Sequence, residues 1–273
     1  MKTHPFFYFL LLSGFLVFGT LACGGSSETE TEEETTTEQD EATEKGQVYT
    51  VTPFSESAQF SDASIDKMTF EGGRFDFAIG GSTYELGVQT PDAPQKMCAN
   101  SDKGQHIHLI VDTEPYAAKY TASFDYQIPD GEHYVLAFLS RSYHESIKTE
   151  AAHRAVKANV AENAFTSETP IEGPMLFYSR PKGTYVGKEA TEKVMLDFYL
   201  VNAELGDDYK VEVEINSEQT LVLDQWQPYY IEGLPMGDNK IKLTLIDGEG
   251  SVVDVPNNPV SRVFTLAADP LEE

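Results

Sequence analysis

Basic residues are scarce. The 273-residue chain carries 19 Lys and Arg against 45 Asp and Glu, a formal net charge of −26. Such a chain repels phosphates and anionic surfaces, which excludes a general nucleic-acid binder. Cysteine is scarcer still, at Cys23 and Cys98 alone, so a disulfide-built scaffold is excluded. The longest apolar stretch, Phe6 to Phe18, is interrupted by Ser13 and Gly14. It falls short of the roughly 20 residues that a membrane-spanning helix needs. Catalytic signatures are missing as well. His144-Glu145-Ser146-Ile147-Lys148 begins like a zinc-protease helix but has Lys where the second His belongs. Gly183 to Glu189 lacks the spacing of a phosphate loop, and Asp247 to Ser251 lacks the ligands of a calcium loop. No serine-nucleophile elbow occurs. The sequence therefore predicts a protein that is not an enzyme.

What is present begins with a processing segment. Residues 1–22 have a basic start at Lys2, an apolar core and the ending Thr20-Leu21-Ala22-Cys23-Gly24. This ending resembles a bacterial lipoprotein signal. The resemblance implies cleavage before Cys23, lipidation of that cysteine and anchoring of the chain in a membrane leaflet. Residues 23–46 follow as a tether, with nine acidic side chains between Glu28 and Glu44 among Thr, Ser and Gln. Nothing there can bury apolar surface, and like charges extend the chain. An acidic run at this place resembles the surface-export signal of some Gram-negative lipoproteins. The same run reads equally as a solvated spacer. The expected location is the cell envelope, as an outer-membrane lipoprotein, with surface exposure where the acidic run acts as the export signal.

From Gln47 onward apolar residues alternate with polar ones. Arg74 to Ile79 alternates, His106 to Asp112 places Ile107, Leu109 and Val111 on one face, and Tyr134, Leu136 and Phe138 form another such face. Val211, Val213 and Ile215 repeat the pattern, as do Ile241, Leu243 and Leu245. Period two with one apolar face predicts strands of antiparallel sheets. Gly- and Pro-bearing turns separate them, and the one helix candidate is a short piece near Glu150 to Val156. The pattern occurs twice. The corner Ile128-Pro129-Asp130-Gly131 has its counterpart in Leu234-Pro235-Met236-Gly237, and each corner leads into a strong strand. Two repeats about 100 residues apart predict two β-sandwiches in tandem, at 47–166 and 167–273. The corner resembles that of bacterial immunoglobulin-like domains. The fold class expected is all-β, with two immunoglobulin-like antiparallel sandwiches after the signal peptide and tether.

Two candidate sites follow. The mature chain has five histidines, at 106, 108, 133, 144 and 153, all in the first repeat. His106 and His108 lie two apart on a strand and share a face. His133 is expected on the outward face of a neighbouring strand, opposite Tyr134 and Leu136. Together with Cys98, and Met97 beside it, these residues form a candidate copper or zinc site. Basic and hydroxyl side chains at Ser140, Arg141, His144 and Lys148 form a candidate anion site. That segment resembles the Ser-Arg-x-His motif of forkhead-associated phosphopeptide-binding domains, with one residue more between Arg141 and His144. The whole chain is similar to uncharacterised envelope lipoproteins that carry a phosphopeptide-binding label. That likeness includes the Lys103-to-Lys148 block and Tyr178-Ser179-Arg180-Pro181-Lys182-Gly183. Trp226 is expected in core or inter-domain packing. The role read from the sequence is a binding or structural adaptor, its partner an envelope protein or small ligand. Metal handling and phosphopeptide or anion recognition are the alternatives.

Overall fold

The alternating segments are strands. The computed structural model describes residues 49–269, so the signal peptide, Cys23 and the acidic tether lie outside the described residues. In chain order the strands are β1 (Thr50–Pro53), β2 (Ser64–Glu71), β3 (Arg74–Gly80), β4 (His106–Val111), β5 (Ala117–Lys119) and β6 (Ser123–Asp125). They continue with β7 (Gly131–Ser140), β8 (His153–Ala161), β9 (Ala164–Pro170), β10 (Met175–Arg180), β11 (Gly183–Val186) and β12 (Val194–Val201). The last are β13 (Tyr209–Ile215), β14 (Gln219–Leu223), β15 (Tyr229–Glu232), β16 (Gly237–Asp247) and β17 (Val260–Ala267). Among the described residues helix is confined to single turns. The piece expected near Glu150 is one 3-10 turn, Glu150–Ala152, and the residues after it enter β8.

Four sheets result. The first sandwich pairs β2-β3-β6 with β5-β4-β7-β8-β9, and the second pairs β1-β15-β12-β10 with β11-β17-β16-β13-β14. The repeat read from the sequence is a repeat of topology. The run β5-β4-β7-β8 in the first sandwich has its counterpart in β14-β13-β16-β17, and β2-β3-β6 in β10-β12-β15. The two corners open β7 and β16 at Gly131 and Gly237, where φ is 139° and 98°. Only glycine adopts these values without strain, which is why each Pro-x-Gly corner ends on one. Strand β1 departs from the expected division at residues 166 and 167. It pairs antiparallel with β15, so the chain enters the second sandwich before it builds the first. Strand β9 also carries the first sandwich on to Pro170.

Each sandwich has its own core. Phe70, Phe75, Ile107, Leu109, Val135 and Leu139 are among the side chains that fill the first, and Leu196, Phe198, Val211, Val213, Ile241 and Leu243 among those that fill the second. A third apolar cluster lies between the sandwiches. Ile110, Leu136 and Phe138 from β4 and β7 meet Met175, Phe177, Tyr199 and Val201 from β10 and β12. Phe138 stacks on Tyr199 with ring centroids 4.9 Å apart. Trp226 stands edge-on to Tyr199 and donates its ring N–H to the Phe198 carbonyl, the packing role expected for it. The four sheets therefore stack as layers, with β4, β10 and β12 buried along their whole length. Polar tethers cross the same junction. Lys148 Nζ lies 2.6 Å from the fully buried Asp197 carboxylate, Lys182 Nζ donates to the Tyr116 carbonyl and Arg262 to the Thr113 carbonyl. Residues Lys45–Glu273 form one unit accordingly.

Candidate metal centre

Strand β4 pairs with β7 so that His106 opposes Ser140, His108 opposes Phe138 and Ile110 opposes Leu136. Directly opposed residues share a face. His106 and His108 therefore stand on the same face as Phe138, turned toward the second sandwich, while Ile107 and Leu109 enter the core of the first. Both histidines are 0% exposed. Strand β7 then ends in a tight turn that supplies a third imidazole. His144 has φ of 72°, a left-handed conformation uncommon for a non-glycine residue. The turn is fixed by the Arg141 N–H donating to the Glu145 carbonyl, the Ser142 N–H to Thr90 Oγ1 and the Tyr143 hydroxyl to Asp92. So pinned, the left-handed residue lays its ring against His106.

The three rings converge through their nitrogens. His106 Nε2 is 2.8 Å from His108 Nε2 and 3.0 Å from His144 Nδ1, and the three candidate ligand atoms lie within 4.8 Å of one another. His106 Nδ1 lies 2.8 Å from the Gly104 carbonyl, which can only accept, so Nδ1 carries the proton and Nε2 keeps its lone pair. Gly104 brings that carbonyl in because it lacks a side chain. At its φ of 83° a Cβ would meet the backbone of Gly87 and Val88 at 2.6 Å. His108 Nδ1 lies 3.4 Å from Ser179 Oγ of β10, which directs Nε2 inward. His106 Nε2 thus offers one lone pair to two neighbours, and one lone pair accepts one donor well. If His108 donates, His144 Nδ1 turns to the Tyr116 hydroxyl at 3.3 Å and faces His106 Nε2 at 3.0 Å with no bond between them. If His144 donates, His108 Nε2 is left in the same position. A metal ion held by all three lone pairs resolves the conflict. Zinc–nitrogen bonds of about 2.0–2.1 Å would set ligands roughly 3.3 Å apart, so the two shorter separations would widen by a few tenths of an ångström and the third, up to 4.8 Å, would close by about 1.5 Å.

Aromatic rings enclose the centre. Tyr116 stacks on His108 at 3.6 Å with planes 8° apart, its hydroxyl 3.3 Å from His144 Nδ1, and Tyr120 lies 4.9 Å from His106. Burial keeps the imidazoles neutral, with the positive charges of Arg180 and Lys182 adding to it. His106 is held down at about 4, and His108 and His144 well below the usual histidine range. Neutral imidazole is the form that binds metal.

The structure corrects both sites read from the sequence. His133 is not part of the centre. It sits seven residues from Ser140 along β7, roughly 23 Å at strand rise, and pairs with Asp112 at 2.7 Å and the Pro129 carbonyl at 2.9 Å. Antiparallel pairing puts the start of β4 beside the end of β7, so His133 is at the far end. It is also on the other face. Tyr134, Leu136 and Phe138 turn toward the second sandwich with His106 and His108, and His133 alternates with them. Cys98 is buried against Tyr143, Met195 and Tyr230 rather than beside the imidazoles, and burial pushes its thiol up to about 12. Met97 is exposed. The anion site is not assembled either. Arg141 is buried and spends Nε and Nη2 on the Ala58 carbonyl, at 2.9 and 2.7 Å, with Glu145 beside Nη1. Lys148 is paired with Asp197, and Ser140 Oγ donates to backbone carbonyls. Of these four, only His144 reaches a site, and it joins the histidines. Residues from two segments, Lys103 to Lys148 and Tyr178 to Gly183, meet at this centre.

Fold and centre define a class, tandem β-sandwiches with a largely buried tri-histidine cluster at their junction. No family model and no curated protein matches the chain. Among solved structures it is similar to fibronectin(III)-like modules of Clostridium thermocellum CbhA, at 12% identity over 35% of this chain and 100% of that one, with a TM-score of 0.28. It is similar also to a Ca²⁺-stabilized adhesin that helps an Antarctic bacterium reach out and bind ice, at 11% identity and a TM-score of 0.23. That match covers 82% of this chain and 49% of the adhesin. Neither is near enough to carry a role across.

Proposed function

We propose that the protein is a non-enzymatic, lipid-anchored module of the cell envelope that binds a transition-metal ion at His106, His108 and His144. One observation carries the reading: three imidazole nitrogens, two of them on fully buried rings, converge so that one lone pair faces two neighbours at 2.8 and 3.0 Å. Acylation at Cys23 and the acidic tether account for the anchor, and the packed sandwiches for a rigid binding body.

The test uses the chain with Cys23→Ala, which removes the acylation site. Calorimetric titration with zinc and copper is expected to give one equivalent bound. Binding is lost in His108→Ala and in His144→Ala, and kept in His133→Ala. Retention in His144→Ala with loss in His133→Ala would sink the assignment. Labelled fatty acid should enter the natural chain and not the Cys23→Ala chain.

A further inference from the structure

The charged side chains that act on the three imidazoles have one sign. Arg180 and Lys182 both act on all three imidazoles. Lys182 Nζ lies 4.0 Å and the Arg180 guanidinium carbon 5.8 Å from the centroid of the Tyr116 ring, which itself stacks on His108. Arg180 is 5% exposed, and its Nε has no hydrogen-bond partner. Its bond goes to the Tyr185 hydroxyl, and the bond of Lys182 goes to the Tyr116 carbonyl. Among the described residues no carboxylate pairs with either cation, and no carboxylate or thiol joins the three imidazoles. In a chain of net charge −26, the side of the imidazoles that faces Arg180 and Lys182 is locally positive, while the Asp197 carboxylate nearby is paired with Lys148.

A metal ion entering here meets neutral ligands and cationic surroundings. Repulsion grows in proportion to the charge of the ion, and the cost of stripping its water grows faster than that charge. A dication carries both penalties, and no anionic ligand offsets them. A d¹⁰ monocation carries less of each, and its bonds to imidazole suffice in a site of three donors. We propose that the centre selects a monovalent ion, Cu(I), over the dications Zn(II) and Cu(II). This rests on the reading above that the imidazoles bind metal at all.

The test measures three ions on the Cys23→Ala chain, without oxygen and with ascorbate for copper. Cu(I) affinity is read by competition with bicinchoninate, Ag(I) serves as a redox-inert monovalent probe, and Zn(II) is read by competition with a zinc-responsive dye. One added charge facing two cations at an effective dielectric of about 20 predicts Cu(I) and Ag(I) bound about 100-fold or more tightly than Zn(II). Lys182→Gln removes one cation and keeps a donor for the Tyr116 carbonyl. It is expected to narrow the gap about tenfold, chiefly by strengthening zinc. Zinc bound as tightly as Cu(I) by the natural sequence overturns the selectivity and leaves the metal site standing. So does a gap that Lys182→Gln, shown folded by its melting curve, does not move. Failure of all three ions to bind, or binding unchanged in His108→Ala, overturns the site itself. The ratio in the natural sequence decides the matter even where the variant is unstable.

Discussion

The two five-stranded sheets share a topology and differ on one face. In the second sandwich the outward residues of β13 are Lys210, Glu212 and Glu214, with Lys242 opposite on β16, all partly open to solvent. In the first, the corresponding face of β4 and β7 carries His106, His108, Ile110, Leu136 and Phe138, all buried. The same strand order thus makes an outer wall in one repeat and an inner layer in the other. What decides is the partner. A charged face keeps water, whereas an apolar face in contact with β10 and β12 loses it, and histidines on that face become buried neutral imidazoles rather than surface charges.

Breaking the inner layer should cost most. Phe138→Ala removes a fully buried ring stacked on Tyr199, and about 3–5 kcal/mol of stability is expected to go with it in urea unfolding. Glu212→Ala on the matching face of the second sandwich should change stability by less than about 0.5 kcal/mol. A loss of similar size in both variants would show that the junction is not a core.

Two ion pairs sharpen the contrast, because both are 2.6 Å long. Lys148–Asp197 lies in the junction with the carboxylate 0% exposed, and Lys242–Glu214 lies on the open wall. Lys148→Ala leaves a buried charge alone, and a loss of about 3 kcal/mol is expected. Lys242→Ala is expected to cost under about 1 kcal/mol, less at high salt. Equal losses by thermal unfolding would remove the distinction between the two faces.

The pH response of the metal-free protein should also belong to the inner layer. His106 is held at about 4 by burial, below the roughly 6.5 of an unfolded histidine. Above pH ~6.5 neither state holds the proton, and stability is at its full value. As pH falls from there to about 4 the unfolded chain takes up protons that the native ring refuses, so stability is lost over that window. Each such ring contributes about 1.4 kcal/mol per pH unit. His106→Gln should flatten the slope between pH ~6 and ~4.5. An unchanged slope would mean that the ring charges in the native state. The smallest expected effect is at Cys98, whose buried thiol should react with alkylating reagents only after unfolding.

Much of the architecture is legible in the chain. Alternation at Ile107, Leu109 and Val111 marks a strand, and the paired Pro-x-Gly corners mark equivalent strands in two repeats. The junction leaves a fainter trace. Tyr134 to Leu139, Met175 to Tyr178 and Phe198 to Val201 are continuous apolar runs, as strands buried on both faces require. Of the tri-histidine cluster, His106 and His108 are readable from their spacing. His144 is not, because its place depends on a left-handed turn pinned by Arg141, Thr90 and Asp92, which are distant in sequence or ordinary in type. His133 misleads for two reasons. In a strand apolar on both sides, periodicity separates the faces without saying which one lines the sandwich core. It also leaves open which end of a strand meets its neighbour.

The sequence by itself determined the strands, their alternation and the repeat, since these follow from local periodicity and from the residues that turns demand. Tertiary structure alone decided which outer face is buried, where β1 pairs and which histidines meet. Those depend on registry between strands and on desolvation by a second sandwich, and neither is encoded in any single stretch of chain.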